Sequence, residues 1–261
     1  MKSLKNKTIL ITGAAGGFGR EFTSQLLDLG AHLILTSRNA DKLEGIAAEI
    51  SAQKKSAPGK IVATYGSDLA SPEGCRAAYE KCREISPDID MLINNQGVIT
   101  YGDFHLIPQD VWENEIEVNL LATMRMTHHF LPDMIARGSG HIVILSSISG
   151  MVGTAYSTAY AVTKWGLRGF GMALSGEVAR HGIDVTNIYP FWVGTELLKS
   201  PVYGTTEMKK AHPFFIDDPK KVVAESIRAI RKGRLHVHPC TYAKAMNVAA
   251  KITPIVAPQH R

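Results

Sequence analysis

The sequence predicts an α/β fold, a doubly wound parallel sheet of about seven strands with helices on both faces. Three observations lead to it. Short apolar, β-branched runs alternate with stretches of helical spacing along most of the chain. The first of these runs passes straight into a turn with three glycines at Gly13, Gly17 and Gly19. No repeat, low-complexity tract or linker divides the 261 residues, a length that suits one domain over residues 1–261.

The elements follow in order. Thr8–Ile11 is the first strand, and Phe22, Leu26 and Leu29 mark a helix that Gly30 ends. Further strands are expected at His32–Thr36, Ile61–Tyr65, Met91–Ile93, Ile142–Leu145, Asp184–Ile188 and Leu235–His238. Leu43, Ile46, Ala47 and Ile50 form one helical stripe, and Val222, Val223, Ile227 and Ile230 another. Ser71-Pro72-Glu73 reads as an N-cap, a proline at the first helical position and a first-turn acid. Val111–Ala136 and Ala155–Arg180 read as long helices. Residues 191–218 break the alternation and carry Phe191, Trp192, Tyr203, Phe214 and Phe215. These aromatics either face an apolar substrate or pack the loop onto the body. In the tail, 239–261, Tyr242, Met246, Val248 and Ile252 could form an apolar stripe. That stripe is narrow for a membrane surface, so docking on protein is expected.

Composition excludes several classes. The chain is 45% hydrophobic and 20% charged, with a net charge of +5. The basic residues are dispersed, with small clusters such as Lys209-Lys210 and Lys220-Lys221, so no nucleic-acid partner is expected. No apolar run approaches the ~20 residues of a membrane helix. The apolar run after Met1–Lys5 leads into the glycine turn and is not read as a signal peptide. Three cysteines without framework spacing point to a reducing, cytoplasmic setting. His128-His129 and His236/His238 lack a third ligand set, so no metal is expected.

Two stretches carry chemistry. Strand, glycine turn and helix in that order suit a dinucleotide: the glycines allow a close backbone approach, and the helix start offers N–H groups to a pyrophosphate. On a helix, Tyr160 and Lys164 share a face. A cation there lowers the phenol pKa from about 10. That would suit a general acid/base acting on a carbonyl or hydroxyl oxygen. Where an NAD-binding domain has an acid, the second strand ends in Ser37 and Arg38. A guanidinium there can grip a 2′-phosphate, or it can pair with Asp41 or solvent.

Thr12-Gly13-Ala14-Ala15-Gly16-Gly17-Phe18-Gly19 together with Tyr160-x-x-x-Lys164 resembles the classical short-chain dehydrogenase/reductase (SDR) family. Ser147 lies thirteen residues before Tyr160, a spacing typical of it. Asn94-Asn95-Gln96-Gly97, Asn119 and the segment from Pro190 to Thr195 match its remaining signatures, with Gln96 in place of the usual Ala and Phe191 in place of the usual Gly. The resemblance implies a Rossmann fold and an oxidoreductase with Asn119, Ser147, Tyr160 and Lys164 as catalytic residues. It implies a cofactor site at Gly13, Gly17, Phe18, Gly19, Ser37, Arg38, Asp68, Asn95, Gly97, Tyr160, Lys164, Val193 and Thr195. Asp68 would hold the adenine amino group, cap the turn before Ser71, or both. Ser146 competes with Ser147, and Tyr156 is assigned to the pocket wall. The expected activity is NADP(H)-dependent hydride transfer to and from a small-molecule carbonyl or secondary alcohol, probed against two alternatives, an NAD(H)-dependent alcohol dehydrogenase and a non-catalytic dinucleotide sensor. Ala159, Gly166, Gly169, Gly171, Ala173 and Gly176 would permit close helix approach, and relatives pair through such helices, so a homodimer or homotetramer is expected.

Overall fold

The computed structural model describes residues 3–204 and 216–252. Pro213, Phe214, Phe215 and Lys209-Lys210 lie outside the described residues. Strand β1 (Thr8–Ile11) leads into helix α1 (Gly17–Asp28), followed by β2 (His32–Ser37), α2 (Ala40–Gln53), β3 (Lys60–Gly66), α3 (Pro72–Ile85) and β4 (Met91–Asn94). A short strand β5 (Tyr101–Gly102) precedes α4 (Gln109–Ile116), which passes through a π turn (Glu117–Leu121) into α5 (Ala122–Arg137). Then come β6 (Gly140–Leu145), α6 (Thr158–Val178), β7 (Ile183–Ile188), β8 (Val202–Tyr203), α7 (Pro219–Ile230), β9 (His236–Val237) and α8 (Cys240–Ile252).

Seven strands form one sheet in the order β3-β2-β1-β4-β6-β7-β9. Every neighbouring pair is parallel. Both faces are covered, which is why β4 and β6 are buried along their whole length. On one face Phe22 and Leu26 of α1, Ile46 and Ile50 of α2, and Val223 and Ile230 of α7 pack on the sheet. On the other, Ala78 and Cys82 of α3, Met126 and Phe130 of α5, and Leu167 and Leu174 of α6 do the same. The chain builds outward from β1 to β3, then returns to place β4 on the other side of β1. That reversal opens a crevice at the C-terminal strand ends.

Local chemistry sets the helix starts. Asn39 accepts from the Lys42 N–H at 2.8 Å to begin α2. Ser71 accepts from the Gly74 N–H at 3.0 Å ahead of Pro72 in α3, and Asp218 accepts from Lys220 N–H at 2.9 Å ahead of Pro219 in α7.

The structure departs from the sequence reading in four places. The helix expected over Val111–Ala136 is interrupted by the π turn, and Asn119 lies inside it. A second two-stranded sheet joins β5 to β8 and clips the segment after β4 to the one after β7. The last strand is two residues long rather than four. In α8 the packed residues are Ala243, Met246 and Tyr242, which meet Ile148, Met151, Tyr189 and Phe191, while Val248 is 55% exposed. Lys244 pairs with Glu225 of α7 at 2.7 Å, so the tail helix docks on its own subunit.

Gln96, the residue that departs from the family pattern, has a structural task. The Thr12 hydroxyl donates to Gln96 Oε1. Gln96 Nε2 donates to Thr123 Oγ1 at 3.0 Å. All three groups are buried, so the amide joins the end of β1 and the end of β4 to α5. Gln96→Ala leaves two buried hydroxyls without this partner, and stability should fall by about 1–3 kcal/mol. An unchanged midpoint in urea denaturation would show that water substitutes for the amide.

Candidate active site

Gly13 sits at φ +59, and a Cβ there would lie 2.8 Å from Gln96 Cα. At Gly19 a Cβ would lie 2.5 Å from Ala14 Cα. Glycine is required at both for the turn to close onto β4 and onto its own helix. Gly13 and Gly17 border a cavity of about 260 Å³, whereas Gly19 serves packing at the start of α1. Asn95 Nδ2 donates to the carbonyls of Thr12 at 3.1 Å and Gly13 at 2.9 Å, holding the turn against the β4 exit.

The cavity extends from Phe18, Ser37, Arg38 and Asp68 through Asn95 and Gly97 to Tyr160, Lys164 and Thr195. Val193 is buried and forms a bridge with Asp217 instead of lining the cavity. Asp68 Oδ1 accepts from the Ala70 N–H at 3.1 Å, so its turn-capping role and its place on the cavity coexist. Arg38 is exposed at the rim and, among the described residues, forms no ion pair with Asp41.

At the inner end, Tyr160 and Lys164 are both buried in α6, and the Lys164 Nζ lies 5.3 Å from the Tyr160 ring centroid. Lys164 donates to the Leu145 carbonyl at 2.8 Å. Burial lowers the ammonium to about 8, opposed by the carboxylate of Glu115. Burial pushes the Tyr160 phenol well above its ordinary value, with hydrogen bonding to Ser147 pulling the other way. This reverses the direction expected for the phenol: desolvation dominates, and Tyr101 and Glu115 push the same way. The two serines also separate. Ser146 donates to the Lys164 carbonyl at 2.9 Å and is spent on α6, while Ser147 faces the phenol. Asn119 is fully buried; its Oδ1 accepts from Val98 N–H at 2.8 Å and its Nδ2 donates to Val98 O at 2.9 Å. A Cβ on Gly97 would lie 3.4 Å from Asn119 Oδ1 and 3.9 Å from Lys164 Nζ, so both groups border the Gly97 position. Tyr156 is not on the cavity; it is 40% exposed, with φ 66.

The short chain dehydrogenase family model matches residues 7–203. The chain belongs to that family. Dehydrogenase/reductase SDR family member 7B of Bos taurus is 35% identical over 74% of this chain, a match that spans 60% of the bovine protein. Oxidoreductase UcpA of Escherichia coli K12 is 34% identical over 90% of this chain and 84% of its own length. A metagenomic short-chain oxidoreductase in complex with NADP is 26% identical with a TM-score of 0.73, covering 90% of this chain and 96% of that one. A Burkholderia phymatum short-chain dehydrogenase/reductase in complex with NAD is 20% identical with a TM-score of 0.81, covering 96% and 94%. The family is one of oxidoreductases, and the seven-stranded parallel sheet is its Rossmann fold.

Sequence reasoning missed several groups in this short-chain dehydrogenase. Ser67, Leu69, Val98, Val118, Leu145 and Leu197 also line the cavity. Glu115, fully buried one turn before Asn119, is another group that the sequence analysis did not single out. The available signal was an acid on the same helix face as Asn119 and Ala122, both of which are buried. Phe191 needs no glycine-like backbone; its ring stacks on Trp192 at 5.2 Å and packs on the body.

Removing the buried cation together with the Glu115 carboxylate that acts on it should stabilise the protein at neutral pH. The Lys164 pKa is lowered on folding, so between about pH 8 and 10.5 the unfolded chain binds more protons and wild-type stability rises with pH. Lys164→Met with Glu115→Gln, which removes both buried charges, should be more stable by about 1–4 kcal/mol at pH 7, and the gain should shrink at pH 9.5. Urea denaturation at both pH values checks this; a variant less stable at pH 7 overturns it.

Proposed function

We propose that the chain is an NADP(H)-dependent oxidoreductase acting on a carbonyl or secondary alcohol of a hydrophobic small molecule, with Tyr160 as general acid/base. The observation that carries this reading is one cavity that joins the glycine turn and Arg38 to Tyr160 and Lys164. The residues fit a dinucleotide: the backbone of Gly13 and Gly17 lines the cavity, Asp68 and Asn95 border the adenosine side, and Arg38 offers a cation at the rim. When bound, the nicotinamide supplies or accepts the hydride.

The protein's own residues handle the proton. Ser147 holds the substrate oxygen. Tyr160 gives its O–H proton to that oxygen in reduction and takes one in oxidation. Its raised pKa keeps it protonated at neutral pH, which suits the donor role. Lys164, charged below about pH 8, stabilises the phenolate left behind and bonds the nicotinamide ribose. Asn119 fixes the segment at Gly97 and Val98 beside Lys164 and holds the water that links it to solvent. Trp192, half-exposed beside Phe191, offers an apolar wall to the substrate.

The expected assembly is a homodimer or homotetramer. Val162, Trp165 and Met172 form an exposed apolar stripe on α6, and Gly169 leaves open space within it. Ala159, Gly166 and Gly171 face inward and serve the subunit's own packing, Gly166 against Leu120 and Gly171 against Asn187. Free thiols at Cys75, Cys82 and Cys240 support a reducing, cytoplasmic setting.

An NAD(H)-dependent enzyme is the second reading, favoured by the exposure of Arg38 and by the NAD complex of the Burkholderia structure. Hydrogen bonds to charged groups contribute about 1.5–3 kcal/mol, so one arginine supports roughly a 10- to 150-fold preference for NADPH, less at high salt. Ser37→Asp with Arg38→Ile should reverse the ratio of catalytic efficiencies with NADPH and NADH; a wild type that uses both equally assigns the second reading.

Tyr160→Phe should lower turnover of a ketone panel by about 10²–10⁴-fold while cofactor affinity stays close to wild type. Turnover at the wild-type rate would remove Tyr160 from the chemistry.

A further inference from the structure

Glu115 is a buried carboxylate that the proposed mechanism does not use. It sits at the end of α4, one turn before Asn119, and none of its surface is exposed. Its Oε2 accepts from the Thr100 N–H at 3.2 Å. Its Oε1 is buried with no hydrogen-bond partner. A buried carboxylate oxygen without a partner is costly, so a compensating interaction is expected nearby. The cation that acts on Glu115 is Lys164. Thr100 follows Gly97 on the segment leaving β4, and a Cβ at Gly97 would lie 3.9 Å from Lys164 Nζ. Helix α4 packs against α6, which carries Lys164. An ammonium has three N–H donors, and Nζ gives one of them to Leu145.

The other acids near the end of this helix face elsewhere. Glu113 accepts from Gln109, and Glu117 pairs with Arg125. The titratable groups that act on or feel Glu115 are Lys164 and Tyr160 on α6 and Tyr101 on β5. Of these, Lys164 is the sole cation.

We propose that Glu115 is a positioning residue that acts through Lys164: its carboxylate is the counter-charge that keeps the ammonium protonated inside the subunit, and so sets the upper pH limit for proton donation by Tyr160. The catalytic consequence rests on the reading of Tyr160 and Lys164 as the reacting pair; the coupling between Glu115 and Lys164 does not. Glu115 ionises near 7 and Lys164 loses its proton near 8, so both are charged in between. Without the carboxylate, burial acts on the ammonium unopposed, and Lys164 becomes neutral at lower pH. An opposite charge at close range shifts such a group by about 1–3 units.

The test titrates Lys164 directly. Protein carrying [13Cε]lysine is followed by NMR across pH, and the Lys164 signal is the one missing from Lys164→Arg. The wild-type signal should titrate near 8, with a smaller inflection near 7 as Glu115 ionises. In Glu115→Gln the main inflection should fall by about one unit or more, and in Glu115→Asp it should return towards wild type. The basic limb of kcat/KM for ketone reduction should move with it. An unchanged inflection in a Glu115→Gln protein with wild-type melting behaviour overturns the proposal. If that variant does not fold, absence of the inflection near 7 from the wild-type signal overturns it equally. A shifted inflection in a protein that reduces no ketone upholds the coupling and removes the functional reading. Normal turnover that depends on Tyr160, with an unshifted inflection, does the reverse.

Discussion

The buried ammonium of Lys164 is the constraint on which the inner half of the molecule depends. A charge removed from water destabilises the fold unless neighbours compensate it. The compensation comes from three directions: the Leu145 carbonyl at the end of β6, the phenol ring one turn earlier on α6, and the carboxylate on α4. Each of these belongs to an element whose position is set by the sheet. Ser146 then binds the carbonyl of Lys164 itself, which pins that turn of α6 to the β6 exit. A lysine that costs stability but is held by this many elements fits the reacting role proposed for it.

Much of the framework was legible because burial on both sides of a parallel sheet leaves a plain signature. Ile142-Val143-Ile144-Leu145 is continuous and β-branched, and it can hardly be anything other than a central strand. Asn39, Ser71 and Asp218 cap helices through side chains whose chemistry is local, so Ser71-Pro72 could be read directly. The two-residue strands β5 and β8 were invisible because they have no period and pair across about a hundred positions of sequence. The tail stripe was misjudged for a related reason: helical spacing identifies a face, and the neighbour it meets determines how wide the buried part is. Here the neighbours are Tyr189 and Phe191, and they cover Ala243 while leaving Val248 in water.

The candidate site was legible as residue identities and less so as electrostatics. Spacing brought Tyr160 and Lys164 onto one face and favoured Ser147, which bonds the phenol, over Ser146, which borders the cavity and bonds the Lys164 carbonyl. The direction of the Tyr160 shift went wrong because a sequence reports that a cation is near but not how dry the surroundings are. Glu115 escaped notice for the same reason. An acid in a helix is usually solvated, and only the packing of α4 on α6 reveals that this one is not.

The π turn at Glu117–Leu121 sets the register between two helix faces. Such a turn holds one residue more than a turn of the helix around it. Relaxing it to regular α hydrogen bonding at the same length would rotate α4 by about 100° relative to α5. Glu115 would swing away from Thr100 while Met126 and Phe130 stayed in the core. The wide turn is therefore a phase corrector: at this chain length, both helix faces stay aligned only while it persists.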